Sequence, residues 1–513
     1  MRNPRAVAVS AATAFVVAGL ASPALAGPGK GPGNNNGNPN NPTKMARAIQ
    51  VDNVMAHLEA FQEIADANGG NRAVGTPGYQ ASAEYVEQVL EAAGYTPERQ
   101  YFTIDLSRTE FQLLRENSPE QREITHRAMS YSPSTPEGGV TADLAAPSVD
   151  AQGCDADAWG GTDLTDKIAL VSRGTCAFGV KSLVAGSLGA EGVIVYNNTA
   201  GILNGTLGGL DDDHVPATGI TQAEGQVLLG KMANGAVNVT LDIQAFAGEV
   251  ETFNIIAETS KGRTDNVVMA GAHLDGAFEG AGINDNGSGS GSILEAAVQL
   301  ARVNTLNNQV RFVWWGAEEN GLLGSNHYVA DLAANDPDEL DNIATYLNFD
   351  MVASPNYIIG VYDADESTYD ASVPPPAGSI ATEKVLTDWF DATGQPWVDT
   401  AYSGRSDYQA FILNGIPASG LFTGADGTKT AAEAELFGGT AGITYDPNYH
   451  TALDDIDNVD ETALEIMSKA IGAAVISLAQ DTSAINGERS AGKSGKPHPG
   501  GPVPVEEEAP DAA

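Results

Sequence analysis

The sequence predicts an α/β fold: a mostly parallel central sheet flanked by helices, with a small β-rich domain inserted into it. Three observations point there. After residue 250, apolar strand runs and helical runs alternate, which is the pattern of a parallel sheet covered on both faces. Between about 130 and 246 the character shifts to short strands bounded by Pro- and Gly-rich seams, and both cysteines of the chain fall there. The length of 513 residues, 42% of them hydrophobic, suffices for two or three domains.

The elements follow in order. Residues 1–26 combine Arg2 and Arg5, the apolar run "AVAVSAATAFVVAGLA" and the small-residue end "SPALA", the three parts of a secretory signal peptide cut after Ala26. Residues 27–45 are a Gly/Pro/Asn leader that cannot bury a core and is expected to be disordered. "VDNVMAHLEAFQEIADANGG" has apolar residues near helical spacing and stops at Gly69-Gly70; "YQASAEYVEQVLEAAGY" is a second helix closed by Gly94. "YFTIDL" alternates as a strand does.

In the insert, "KIALVSRG" and "EGVIVYNN" are strands around the helix "KSLVAGSLGA", and "VNVTLDIQAF" is a later strand. Beyond 250 the strands are "NVVMAGAHLD", "QVRFVWWGAEE", "ATYLNFDM" and "IPASGLF". The helices between and after them are "SGSGSILEAAVQLARV", residues 321–333, "TEKVLTDWFDATG", "SDYQAFILNG" and "ETALEIMSKAIGAAVISLAQ". Residues 46–129 and 247–481 are thus two parts of one domain around an insert at 130–246, and the Pro-rich residues 482–513, with His498, read as a disordered tail.

The formal charge of -41 repels phosphate backbones and anionic lipid, so neither nucleic acid nor a membrane is an expected partner. Beyond the leader, no stretch reaches the ~18 consecutive apolar residues that a bilayer span needs. Cys154 and Cys176, in a chain marked for export, are expected to pair as a disulfide; any metal must then be held by histidine and carboxylate.

The stretch "HLDGAFEGAGIND" starts the functional argument, because glycine-rich loop material does not explain a histidine followed by two aspartates in a chain of seven histidines. His273 and Asp275 end one expected strand, and Asp285 follows in the next loop. Glu318 and Glu319 end another strand, Asp350 a third, and His450 lies in the loop "NYHTALDD". If the strands are parallel, these ends share one edge of the sheet, where ligands bind in such folds. Zinc takes imidazole nitrogen and carboxylate oxygen, so the set suits two Zn2+ ions. His273 and Asp350 can hold one, Glu319 and His450 the other, and Asp285 can bridge them. Asp275 is placed to accept the imidazole N–H of His273. Glu318, left without a metal, is the candidate general base. His57, His126, His214 and His327 read as solvent-facing.

At this point the residues resemble a family. "AGAHLDG", "GINDNGSG", "WGAEENGLLGS", "NFDM", "SGRSDYQAF" and "YHTALDDI" are similar, in order and spacing, to motifs of the secreted bacterial two-zinc aminopeptidases of the leucyl aminopeptidase type. The stretch "RAVGTPGYQASAEYVEQVLEAAGY" resembles their N-terminal segment. "DKIALVSRGTCAFGVKSLVAGSLGAEGVIVYNN" resembles the protease-associated domain that often interrupts them. The resemblance implies a zinc exopeptidase fold, hydrolysis of the N-terminal bond of peptides, and a preference for large apolar N-terminal residues. It implies the ligand roles above, Glu318 as general acid/base, Tyr449 as a stabiliser of the oxyanion, and Arg405 near the substrate. The expected state is an extracellular monomer acting on peptide or protein N-termini. The alternatives are another exopeptidase or a glutaminyl cyclase on the same scaffold, since fold does not fix function, and a non-catalytic peptide-binding protein.

Overall fold

The structure, a computed structural model, describes residues 38–371 and 373–487. The expected signal peptide, residues 27–37 of the leader, and residues 488–513 of the tail with His498 lie outside them. The remainder of the leader and tail is built into the fold. Helix Pro42–Ala48 starts inside the expected leader, with Met45 buried against the last long helix. Thr482, in the expected tail, is buried and accepts a hydrogen bond from Asn266.

The strands that matter for the site are β1 (Glu98–Ser118), β2 (Val140–Ala145), β3 (Lys167–Ser172), β4 (Ala190–Tyr196), β5 (Ala217–Ile220), β6 (Asn238–Glu258), β7 (Arg263–His273), β8 (Asn308–Trp315), β9 (Ile343–Phe349), β10 (Gly360–Tyr362) and β11 (Ala418–Phe422). The sheet runs β10-β11-β9-β7-β8-β6 and continues through β6 into β2-β3-β4-β5. β11, β9, β7 and β8 pair in parallel, and β6 joins antiparallel to β8. β8 and β9 are buried along their whole length, which is why they read as apolar runs without alternation. Phe312 and Trp314 face one apolar cluster and Val313 and Trp315 the other. The first cluster packs under helices Val51–Ala67, Pro77–Ala93, Gly289–Leu300 and Glu461–Gln480, and the second under Leu323–Asn335.

These helices stop and start where local chemistry dictates. Thr76 caps Pro77–Ala93 with its side chain, and Gly94 ends that helix with φ +96, a left-handed turn open to glycine. Asp460 caps Glu461–Gln480 through the amides of Thr462 and Ala463. That helix alone among the described residues is long and apolar enough to cross a membrane, but it is packed into the core.

The connection between insert and main sheet differs from two separate domains joined at seams. β1 and β6 form an antiparallel ribbon of 21-residue strands, paired from Glu98 against Ile256 to Ser118 against Asn238 with register shifts between Thr109 and Phe111 and between Glu116 and Ser118. One end of β6 pairs with β8 and the other with β2. The strand therefore runs through the expected boundary at 246/247 without a break. The insert sheet has apolar clusters on both faces, and Cys154 is bonded to Cys176.

Candidate metal centre and active site

Because β7, β8 and β9 run in the same direction, their carboxyl ends lie along one rim. His273 is the last residue of β7, Asp350 directly follows β9, and Glu318 and Glu319 follow β8 by three and four residues. Asp285 sits in the tight turn Ile283–Ser288 that opens helix Gly289–Leu300. His450 arrives from the loop before the last long helix.

The two imidazoles meet over Asp285. His273 Nε2 is 3.2 Å from Asp285 Oδ1 and 3.2 Å from Asp350 Oδ1. His450 Nε2 is 3.2 Å from Asp285 Oδ2 and 2.9 Å from Glu319 Oε2. The aspartate thus presents one oxygen to each histidine. Glu318 stands further back, 3.9 Å from His273 Nε2. His273, Asp285 and Asp350 are buried, while His450 has 41% of its side chain exposed and forms the open side.

His273 Nδ1 lies 2.9 Å from the main-chain carbonyl of Asp275. A carbonyl only accepts, so Nδ1 carries the hydrogen and Nε2 presents its lone pair to the site. This corrects the expectation that the Asp275 carboxylate takes that hydrogen bond: its nearer oxygen is 3.9 Å away. The carboxylate accepts instead from the backbone amides of Glu318 and Glu319, at 3.2 and 3.3 Å, and so orders the loop that carries both glutamates.

Burial pushes Glu319 up to about 7, with the Asp285 charge adding to it, and raises Glu318 well above the carboxylate range. Burial opposes charge on His450 too, yet hydrogen bonds to Asp285 and Glu319 lift it to about 10. Asp285 is held below its ordinary range against burial, by both histidines. Carboxylates that raise the affinity of both imidazoles for a proton make a pocket that favours positive charge. The donor set of imidazole nitrogens and carboxylate oxygens fits zinc. Among the described residues Glu319 Oε1 is buried without a hydrogen-bond partner, an oxygen that a cation would satisfy.

Beside these groups lies a cavity of about 280 Å³ reached by Asp285, Glu318 and Asp350. Met351, Tyr362, Phe422 and Tyr445 give it an apolar wall. Tyr449 and Arg405 close its rim, the Tyr449 hydroxyl 3.3 Å from the guanidinium, which also pairs with Asp426 at 3.1 Å. The Tyr449 ring stacks on His450 at 3.9 Å between centroids.

Sequence reasoning passed over three contributors. Ser406 donates to Asp350 Oδ2 at 2.6 Å. Asp454 accepts from the amides of Asn284 and Asp285 at 2.9 and 3.0 Å. Arg72 donates to the main chain of the loop after β7. Their only sequence signal is proximity, within "SGRSDYQAF", "YHTALDDI" and "RAVGTPGY". The four histidines set aside as solvent-facing stay out of the site but are not free surface groups. His57 is buried, 2.7 Å from the Tyr85 hydroxyl. His126 contacts Thr218, His327 stacks on Phe102, and His214 is half-buried.

A parallel sheet that gathers two imidazoles and four carboxylates at its carboxyl rim defines a metal-dependent hydrolase. Residues 254–475 match peptidase family M28, and residues 140–228 match the PA domain. The chain is 43% identical over 444 residues to the probable lipoprotein aminopeptidase LpqL of Mycobacterium tuberculosis, covering 86% of this chain and 87% of that protein. It is 41% identical over 461 residues to leucine aminopeptidase 2 of Arthroderma otae, covering 89% of each. Among solved structures, the aminopeptidase from Aneurinibacillus sp. strain AM-1 superposes with a TM-score of 0.62 at 27% identity, over 85% of this chain and 95% of that one. The zinc aminopeptidase from Bacillus subtilis gives 0.58 at 25% identity, over 85% and 98%. This chain belongs to peptidase family M28 and is an enzyme, a hydrolase of peptide bonds with an inserted PA domain.

Proposed function

We propose that the protein is a secreted aminopeptidase that uses two zinc ions and removes large apolar residues from peptide N-termini. The observation that carries this reading is Asp285, whose two oxygens each stand 3.2 Å from a different imidazole. His273 and Asp350 would hold one zinc, His450 and Glu319 the other, with Asp285 shared. Bound zinc supplies Lewis acidity: it polarises the scissile carbonyl and makes a water acidic enough to attack at neutral pH.

The chain's own groups do the rest. Glu318, beside the ligands and not engaged as closely, takes the proton of the attacking water and returns it to the departing amine nitrogen. The Tyr449 hydroxyl, oriented by Arg405, donates to the carbonyl oxygen as it gains charge. The free ammonium of the substrate is held by the surrounding carboxylates, which favours an unblocked N-terminus. The wall of Met351, Tyr362, Phe422 and Tyr445 offers an apolar surface to the first side chain. The disulfide fits an oxidising compartment. The same reading assigns 46–129 and 247–481 to the peptidase domain and 130–246 to the insert.

The test is zinc content by mass spectrometry together with turnover of leucine anilide and its N-acetylated form on one preparation. Two zinc ions per chain and cleavage of the free-amine substrate alone are expected. Fewer than two zinc ions at full activity, or equal cleavage of the blocked substrate, would sink the proposal.

A further inference from the structure

Arg72 is fully buried, on the segment between helices Val51–Ala67 and Pro77–Ala93. A buried guanidinium usually has a carboxylate partner, because an unpaired charge in the interior is costly. Among the described residues Arg72 forms no ion pair. Its nitrogens donate to three main-chain carbonyls: Nε to Ala281 at 2.8 Å, Nη1 to Leu274 at 2.7 Å, and Nη2 to Gly282. Its guanidinium carbon lies 4.9 Å from the centre of the Phe61 ring, and the charges of Asp454, Asp275, Asp285 and Glu319 act on it from beyond ion-pair distance.

Those three carbonyls lie at the two ends of one loop. Leu274 follows His273, and Ala281 and Gly282 lead into Asp285. The fork therefore fixes the distance between the start and the finish of the segment that separates a terminal ligand from the shared one. The chain is shaped for this grip. Gly282 has φ +63, and a Cβ there would stand 2.6 Å from Asp285 O and 3.4 Å from Arg72 Nη2. Gly78 lets the Arg72 segment approach closely, since a Cβ there would meet Asn71 O at 2.0 Å. Asp454 holds the same loop from its amides, so the carbonyls are gripped by a cation and the N–H groups by an anion.

We propose that Arg72 is a positioning residue of the metal centre, setting the separation of His273 and Asp285 through the loop main chain without touching zinc or substrate. This rests on the two-zinc reading above. Lysine keeps the charge but loses the planar fork, so it cannot hold both ends of the loop in one geometry. The groups that orient metal ligands commonly contribute 10–100-fold to affinity, and a shared ligand out of place weakens the second ion first.

The experiment uses the full chain as wild type, Arg72→Lys and Arg72→Met. Zinc affinity is measured by chelator competition, cobalt(II) loading by visible absorption, kcat and KM on leucine anilide, and folding by circular dichroism. Arg72→Lys is expected to fold, to hold its second zinc about 10–100-fold more weakly, and to show an altered cobalt spectrum at the second equivalent. Its kcat should fall at limiting zinc and recover with excess zinc, while KM stays within about threefold. Arg72→Met should behave alike or worse. Second-zinc affinity within threefold of wild type in Arg72→Lys overturns the proposal and leaves the two-zinc reading standing. So does an Arg72→Lys chain that fails to fold even with zinc, because the arginine then serves the fold. A wild-type chain that takes up fewer than two zinc ions overturns the reading itself.

Discussion

Replacing Glu318 by glutamine isolates the proton-transfer step. The substitution keeps shape and removes only the basic oxygen. Asp285 and Asp350 stand 3.2 Å from His273 and Glu319 stands 2.9 Å from His450, whereas Glu318 stays 3.9 Å from its nearest imidazole nitrogen. In the proposed reading Asp285, Glu319 and Asp350 are taken up as ligands, and Asp275 is held by the amides of Glu318 and Glu319, so none of these can readily stand in as the base. General-base assistance is worth up to roughly 10⁴-fold, and with no substitute the loss should fall in the upper part of that range, about 10³–10⁴ in kcat. That is about 4–5.5 kcal/mol of activation free energy. Since Glu318 is not a ligand in this reading, Glu318→Gln should retain two zinc ions, and KM should move by no more than about threefold. The acid limb of kcat/KM should also vanish, because activity rises with pH as the base loses its proton and glutamine has none to lose. The assay is steady-state hydrolysis of leucine anilide across pH, with zinc measured on the same sample. A variant within tenfold of wild-type kcat, both zinc ions bound, would refute the assignment; loss of zinc would show Glu318 to be a ligand.

Ser406→Ala removes the donor 2.6 Å from Asp350 Oδ2 inside a buried site. Zinc affinity should fall by about tenfold, read by chelator competition, with the fold unchanged by circular dichroism. The double change Cys154→Ser and Cys176→Ser opens a loop of 22 residues, which by chain entropy lowers the stability of the insert by about 3 kcal/mol. Thermal unfolding should reveal an earlier transition, while kcat on a small anilide stays as in wild type. Burial pulls His126 down to about 4, below the 6.5 of the unfolded chain. Between those values the unfolded state binds a proton that the folded state does not. Stability therefore rises with pH from about 4 to 6.5 and is lost as pH falls. His126→Asn should flatten that part of the melting temperature against pH, and an unchanged slope would show that His126 does not titrate there.

The elements of the main sheet were legible because β8, β9 and β7 from Asn266 onward are buried on both faces, and burial on both faces leaves a mainly apolar run without alternation. The ribbon was legible only in part. "YFTIDL" alternates, and Phe102, Ile104 and Leu106 are indeed buried between exposed neighbours. From Ser107 to Leu113 none of the residues of β1 is buried, because the ribbon spans open ground between two cores. With no face to bury, there is no period to read, and the strand's true length of 21 residues is absent from its pattern.

The site divides along a similar line. Histidines and acids placed at strand ends announce themselves, since the chemistry that uses them needs those side chains at that edge. Arg72, Asp454 and Asp275 act on the main chain of residues that lie far off in sequence or in another loop: Arg72 reaches carbonyls more than 200 positions away, and Asp454 amides about 170 away. A backbone amide or carbonyl belongs to every residue, so the sequence carries no mark of which one is being held. Asp275 shows the consequence. Its nearness to His273 suggested a bond between their side chains. The main-chain carbonyl meets the ring first, which leaves the carboxylate free to order the Glu318–Glu319 loop. The side chains at the rim thus mark the site in the sequence, while the buried groups that hold its main chain are legible only once the chain is folded.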